Sequence, residues 1–376
     1  MRKLNPEKIK EIIKSNIKGI DAIEVIPVVS LKAAARKVFQ SINKGYIPES
    51  YNWDRKKTEH AYSYKNYKSW VKSIIVAAKY YYTDEEYPKE KQTGRIARFT
   101  WRNNYRYLSF KLEEAVKAIS KIYGVPVKSE ALSNYTSIPE KLLFSYSGIA
   151  EFGKNCVLIN RQMGSFFIIG EALTDLVFDF DEAGVLTPPD FSICGECDRC
   201  LTSCPTGAIP RSGEIDINRC FQYISENLIL MPPEYREKWG SRLYGCSICI
   251  EVCPYNNNLE PWAEKHSIGY VGQGMDLISV LKIPVKDWTR TFSRNQIGIH
   301  DRMALIKNVI TSLGYLKFKK SLDSLYPYLY HENEVIRAYT AWAIGKINTK
   351  TGKKRLSIRY KEETSKIVRA EIITFL

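Results

Sequence analysis

Nine cysteines occur in the 376 residues, and eight of them fall between Cys194 and Cys253. Cys194, Cys197, Cys200 and Cys204 stand as C-x2-C-x2-C-x3-C, followed by Pro205. In this spacing three thiolates bind one [4Fe-4S] cluster and the fourth reaches a second cluster. A matching run is therefore required, and Cys246, Cys249 and Cys253, followed by Pro254, provide C-x2-C-x3-C-P. Cys220 completes that set from an inserted segment. Crossed ligation assigns Cys194, Cys197, Cys200 and Cys253 to one cluster, and Cys220, Cys246, Cys249 and Cys204 to the other. Structural zinc favours paired C-x2-C knuckles, and disulfides are rare where thiols stay reduced. The chemistry implied is single-electron transfer, with a reaction centre at its end. Cys156 is left over and is expected to be a structural thiol.

The flanking segments must position this centre. Before the cysteines, "NPEKIKEIIKSNIKGI" has helical spacing, "DAIEVIPV" and "KSIIVAAKYYY" suit buried strands, and "YLSFKLEEAVKAISKIYG" reads as an amphipathic helix closed by Gly124. "NCVLIN" and "GSFFIIGEALTDLVF" continue an α/β pattern. After the cysteines come short amphipathic helices, "HDRMALIKNVITSLGYL", "KKSLDSLYPYLYH", "NEVIRAYTAWAIGKI" and "KEETSKIVRAEIITFL", which read as stacked HEAT-like pairs. The expected domains are 1–185 (α/β, catalytic), 186–265 (ferredoxin-like, two clusters) and 266–376 (HEAT-like, all-α).

A net charge of +15, from 56 Lys and Arg against 41 Asp and Glu, favours a polyanionic partner. From Lys346 onward there are nine basic residues against three Glu, a footprint suited to an RNA backbone. No apolar run approaches the roughly 20 residues of a membrane span, and the charged start lacks a signal-peptide core. A cytoplasmic monomer is expected, with no membrane association. His60, His266, His300 and His331 are scattered and read as packing or surface residues. No P-loop, H-E-x-x-H, G-x-S-x-G or dinucleotide fingerprint occurs, which speaks against hydrolase, kinase and nicotinamide chemistry.

"CGECDRCLTSCPTGAI", the separate Cys220, "RLYGCSICIEVCP" and "IRAYTAWAIGKI" stand in the order and spacing of the epoxyqueuosine reductases, and the chain resembles that family over nearly its whole length. "GIAEFGKNCVLINRQMGSFFIIGE" is similar to the family's G-K-N…G-S…G-E stretch. The resemblance implies a nitroreductase-like α/β cobalamin-binding domain, a ferredoxin-like double-cluster domain and a HEAT-like C-terminal domain. It implies removal of the epoxide oxygen of epoxyqueuosine at the wobble position of a tRNA anticodon stem-loop. Two [4Fe-4S] clusters and cobalamin would serve as cofactors, and a flavodoxin or ferredoxin as the low-potential electron donor. Gly153, Lys154, Asn155, Leu158, Gly164, Ser165, Ile169 and Gly170 would line the corrinoid. The catalytic positions map to Asn134, Tyr105 and Arg106.

Here the sequence departs from the family's pattern. Asn134 stands where the family has an aspartate proton donor, and Arg106 stands where a histidine would follow Tyr105. The family's R-x-x-P segment has no counterpart around "HAYSYKNYK". An amide is no general acid, so Tyr105, Tyr135 or a water would have to supply the proton. Arg106 would suit an anionic substrate or a developing alkoxide. Two other functions also fit the residues: a paralogous corrinoid iron–sulfur reductase with dehalogenase-like chemistry on another substrate, or a non-catalytic electron-transfer or RNA-binding protein.

Overall fold

The computed structural model describes residues 4–63, 68–90, 92–134, 138–180, 190–261 and 266–376. Spatially the chain divides into two units. One comprises Met1–Asp84, Asn104–Asn218 and Ile248–Ile268, and the other Glu85–Asn103, Arg219–Ser247 and Gly269–Leu376.

The first unit is built on a four-stranded antiparallel sheet, in the order Ala22–Pro27, Ser73–Tyr80, Phe167–Thr174, Ser129–Leu132. Seven residues of Ser73–Tyr80 are buried in succession, which is why its sequence is an unbroken apolar run and not an alternating one. The helix Asn104–Tyr123 covers one face of the sheet, burying Leu108, Leu112, Ala115 and Ile119. Gly124 follows with φ +65°, the left-handed stop anticipated for that helix. At Gly170 a Cβ would meet the Leu132 carbonyl at 2.8 Å and Leu108 and Leu112 at 3.2 Å, so helix, edge strand and central strand close around a residue without a side chain. An apolar cluster including Ile74, Val76, Leu143, Phe144, Phe167 and Leu173 covers the opposite face, together with the helix Glu140–Tyr146. The helix Pro6–Asn16 begins at Asn5, whose side chain accepts from the Lys8 amide at 3.2 Å.

The expected strand in "NCVLIN" shrinks to Leu158–Ile159, paired with Glu151–Phe152. Cys156, at φ +58°, turns the chain between these two short strands and prevents a longer ladder.

In the second unit Arg242–Tyr244, Thr93–Ile96 and Gly274–Asp276 form a small mixed sheet. Two helices, Arg302–Tyr315 and Glu334–Ile347, are buried on nearly every side. They approach closely: at Gly314 a Cβ would meet Trp342 at 2.6 Å and the Ala343 Cα at 2.7 Å. Helices Lys350–Glu362 and Lys366–Ile373 follow, with Lys350, Lys353, Lys354, Arg355, Lys361 and Lys366 exposed.

Candidate active site

In the first unit Cys194 ends a short turn, and Asp198 precedes the one-turn helix Arg199–Thr202 that carries Cys200. The Cys197 amide donates to the Cys194 carbonyl at 3.0 Å, which closes a tight turn between these two cysteines. Cys253 is buried, and Pro254 opens the turn that follows it. Burial pushes the Cys200 thiol up to about 11, helped by the nearby Cys194, Cys253 and Cys197. Cys253 is raised by burial too, with Cys194 and Cys197 adding to the shift. Cys194, Cys197, Cys200 and Cys253 thus lie near enough to disfavour one another's ionised form, although no three ligating side chains among the described residues are gathered as a metal site, and iron would supply the countercharge in a thiolate cluster. Backbone amides donate to sulfur as well, Lys154 to Cys194 at 3.4 Å and Ala208 to Cys204 at 3.2 Å. Such bonds tune the reduction potential of a cluster.

The other predicted ligands are set up locally within their own units. Cys249 lies in the helix Ile248–Glu251, and its carbonyl accepts from the Asn155 side chain at 3.0 Å. In the second unit Cys220 caps the helix Phe221–Glu226, and the Cys246 amide donates to the Gln222 side chain at 3.0 Å.

The G-K-N…G-S…G-E stretch packs directly on the cysteine segment. The Lys154 ammonium donates to the Gly195 carbonyl at 2.7 Å, and the Ser165 amide donates to Asn256 at 2.7 Å. Gly164 has φ +58°, and a Cβ there would lie 2.0 Å from Asn256 Oδ1, so this position requires glycine for contact within the chain itself. At Gly153 the same space holds Ile159 and Asn155. Leu158 is buried in the core, and Ile169 packs against it. For a corrinoid, the supporting observation is Ser165: its hydroxyl is buried and has no hydrogen-bond partner among the described residues, and a polar ligand group would satisfy it.

Tyr105 and Arg106 open the helix Asn104–Tyr123. Tyr105 is half-buried, while Arg106 is exposed and stacks on Phe110 at 5.4 Å. Asn134 is exposed two residues beyond the strand Ser129–Leu132, with φ +62°, a conformation that asparagine and aspartate tolerate best among residues with a side chain. The Ser133 hydroxyl donates to the Ile169 carbonyl at 2.6 Å and ties this segment to the sheet. The helix at Leu108 and the edge strand at Leu132 both pack against Gly170. Tyr135 lies outside the described residues.

Sequence reasoning passed over several residues of this region. His266, taken as scattered, stacks on Tyr107 with ring centroids 4.1 Å apart, and its Nε2 lies 3.0 Å from the Asn104 side chain. Asn256 holds the Ser165 amide and also donates to the Ile250 carbonyl at 2.6 Å. Glu171 is 2% exposed in the apolar core. Burial, and after it the adjacent Glu140 carboxyl, hold its carboxyl well above the ordinary range. A glutamate inside the apolar run "FFIIGEALT" was the visible signal for it.

Three comparisons bear on this arrangement. Residues 193–256 match a family model described as a 4Fe-4S double cluster binding domain. The chain is 30% identical over 278 residues to the epoxyqueuosine reductase of Lactococcus garvieae, covering 71% of this chain and 75% of that one. It is 28% identical over 294 residues to that of Bacillus anthracis, covering 74% and 73%. Among solved structures, an epoxyqueuosine reductase with an epoxyqueuosine-modified tRNA-Tyr stem loop superposes with TM-score 0.84 at 23% identity, covering 98% of this chain and 96% of that one. Another, from Bacillus subtilis with its catalytic aspartate loop swung out of the active site, gives 0.81 at 24% identity, with 98% and 96% covered.

Proposed function

The chain belongs to the epoxyqueuosine reductase family, and on that premise we propose that it reduces epoxyqueuosine to queuosine in the anticodon stem-loop of tRNA. The observation that carries this reading is the meeting of two segments: the Lys154 amide on the Cys194 sulfur and the Asn155 amide on the Cys249 carbonyl. They join the cysteine segment to the residues proposed to line the cofactor, so electrons need cross only a short distance. Cys194, Cys197, Cys200, Cys204, Cys220, Cys246, Cys249 and Cys253 would hold two [4Fe-4S] clusters, which would supply single-electron transfer from a flavodoxin or ferredoxin, and cobalamin, when bound, would supply a strongly reducing metal centre.

The remaining work falls to this chain's own residues. Lys154, Asn155 and Ser165 would hold the cofactor, with the Ser165 hydroxyl as its polar contact and Leu158 and Ile169 behind them, while Gly153, Gly164 and Gly170 would let the surrounding segments pack closely enough to form the site. Tyr105 and Arg106 face the substrate, where a phenol and a guanidinium stabilise negative charge on the departing oxygen. Asn134 orients that oxygen by donating from its amide and is not itself an acid. Residues 1–185 hold the reaction centre, 186–265 the clusters and 266–376 a HEAT-like surface. The exposed row from Lys350 to Lys366 supports RNA binding, since each phosphate neutralised releases counterions and makes affinity salt-dependent. The absence of a carboxyl at Asn134 favours the second reading, a paralogue that reduces a different substrate with the same cofactors.

An anaerobic assay decides between them, using reconstituted clusters, added cobalamin, a low-potential reductant and epoxyqueuosine tRNA. Loss of one oxygen from the digested nucleoside, read by mass spectrometry, is the expected result. No conversion, while a relative bearing the aspartate converts, moves the assignment to the paralogue.

A further inference from the structure

Reducing an epoxide to an alkene consumes two electrons and two protons and releases the oxygen as water. Asn134 has no proton to give, so the chain needs another source near that segment. One candidate is built into the sheet.

Glu171 lies opposite Val76 on one neighbouring strand and Leu132 on the other, 2% exposed among apolar side chains. Its Oε1 has no hydrogen-bond partner among the described residues. The Glu140 carboxyl, from the first residue of the helix Glu140–Tyr146, lies beside it and disfavours its ionised form. Two carboxyls side by side, one of them dry, are stabilised by keeping one proton between them. Glu140 is half-buried, and its Oε2 accepts the backbone N–H of Asn134 at 3.1 Å. The pair therefore runs from the dry core to the segment where the family places its acid.

The other charged groups nearby are occupied. Glu130, on the same face of the edge strand, pairs with Lys68. Lys141 donates to the Cys156 carbonyl at 3.3 Å. Lys79, on the opposite face of the sheet, pairs with Asp21 at 2.8 Å. Burial acts first on Glu171 and Glu140 second, both disfavouring its ionised form.

We propose that Glu140 and Glu171 hold one proton between them and deliver it, through Glu140, to the oxygen leaving the substrate at the Asn134 segment. This rests on the reductase reading above. The first C–O bond breaks as the oxygen takes that proton. The second breaks as a further proton, entering from solvent, lets the oxygen depart as water. Both electrons come from the external low-potential donor, and solvent then reprotonates the pair. Glu171 acts through Glu140 and is a positioning and proton-storing residue.

Two measurements separate this proposal from the function it rests on. Infrared spectra of protein labelled with 13C-carboxyl glutamate should contain a carboxylic-acid carbonyl band that persists above pH 7 and vanishes in both Glu171→Gln and Glu140→Gln; its absence in the wild type overturns the shared proton without any turnover. In single-turnover assays, Glu171→Gln should slow epoxide reduction by about 10²-fold, the lower end of general-acid effects, and move the pH profile. Asn134→Asp in that background should restore much of the rate. An unchanged rate and profile in both variants, with an active wild type, overturns the proposal and leaves the reductase intact. A uniformly slower rate with an unmoved profile means a structural role and overturns it as well. An inactive wild type overturns the functional reading and the delivery step together, while the infrared band still reports whether the proton is there.

Discussion

Glu171 in the first unit and Glu363 in the second are both almost fully buried, and their environments drive them in opposite directions. Glu363 is desolvated, yet hydrogen bonds from Arg337, the Ser365 amide and Arg359 outweigh burial and lower its carboxyl to about 2. The Arg337 fork contributes bonds of 2.8 and 3.0 Å, and Arg359 bonds of 2.7 and 3.1 Å. Glu171 meets another carboxyl instead. One residue type at similar burial thus becomes a fixed anion that pins two helices or a group poised to hold a proton, depending only on its partner. Lys307 is a third case: burial pushes it down to about 7, while it donates to the Ile224 carbonyl and, at 2.8 Å, to that of Asn227.

The largest test of this contrast is Glu363→Gln, expected to cost about 3 kcal/mol at pH 7 by leaving Arg337 and Arg359 unpaired, as measured by thermal unfolding. Because the folded carboxyl is depressed, the same stability should drain from the wild type as pH falls from about 4.5 towards 2.

Lys307→Met comes next. The folded lysine binds fewer protons than the unfolded one between about pH 7 and its ordinary 10.5, so wild-type stability should rise with pH across that window. The variant should flatten that rise, and an unchanged slope in urea titrations at pH 7, 8 and 9 would show the ammonium stays charged.

Glu171→Gln should act with the opposite sign. A raised carboxyl adds stability below its unfolded value and loses it as pH climbs, so the variant should gain on the order of 1 kcal/mol over wild type near pH 8 and nothing near pH 4. Destabilisation at both pH values would show that the glutamate is held there for its hydrogen bonds alone.

The smallest effect belongs to the segment above the pair. Asn134→Ala should cost about 1 kcal/mol, because its backbone is left-handed, while Asn134→Asp should fold like the wild type. Equal unfolding curves for the alanine and aspartate variants would mean that the segment relaxes freely.

Much of this was legible beforehand. The apolar runs of Ser73–Tyr80 and Phe167–Thr174 became the two central strands, and Gly124 closed its helix, since local periodicity and a left-handed stop need no distant partner. The strand Ser129–Leu132 was not anticipated, because "SEAL" is short and lies at an edge, where only pairing with Phe167–Thr174 makes it a strand. His266 and Asn256 were passed over for the same reason: their partners Tyr107 and Ser165 lie far away in sequence.

The sequence by itself determined the cluster chemistry, since a metal cluster dictates ligand type and spacing over a few residues, and that demand is written in Cys194 to Cys204 and Cys246 to Cys253. It also determined that position 134 carries an amide, which is no general acid. Only tertiary structure decided what stands behind that amide. Whether a buried glutamate is a pinned anion or a held proton depends on which side chain the fold brings against it, and Glu140 and Glu171 are joined by a helix and a strand meeting across an apolar core.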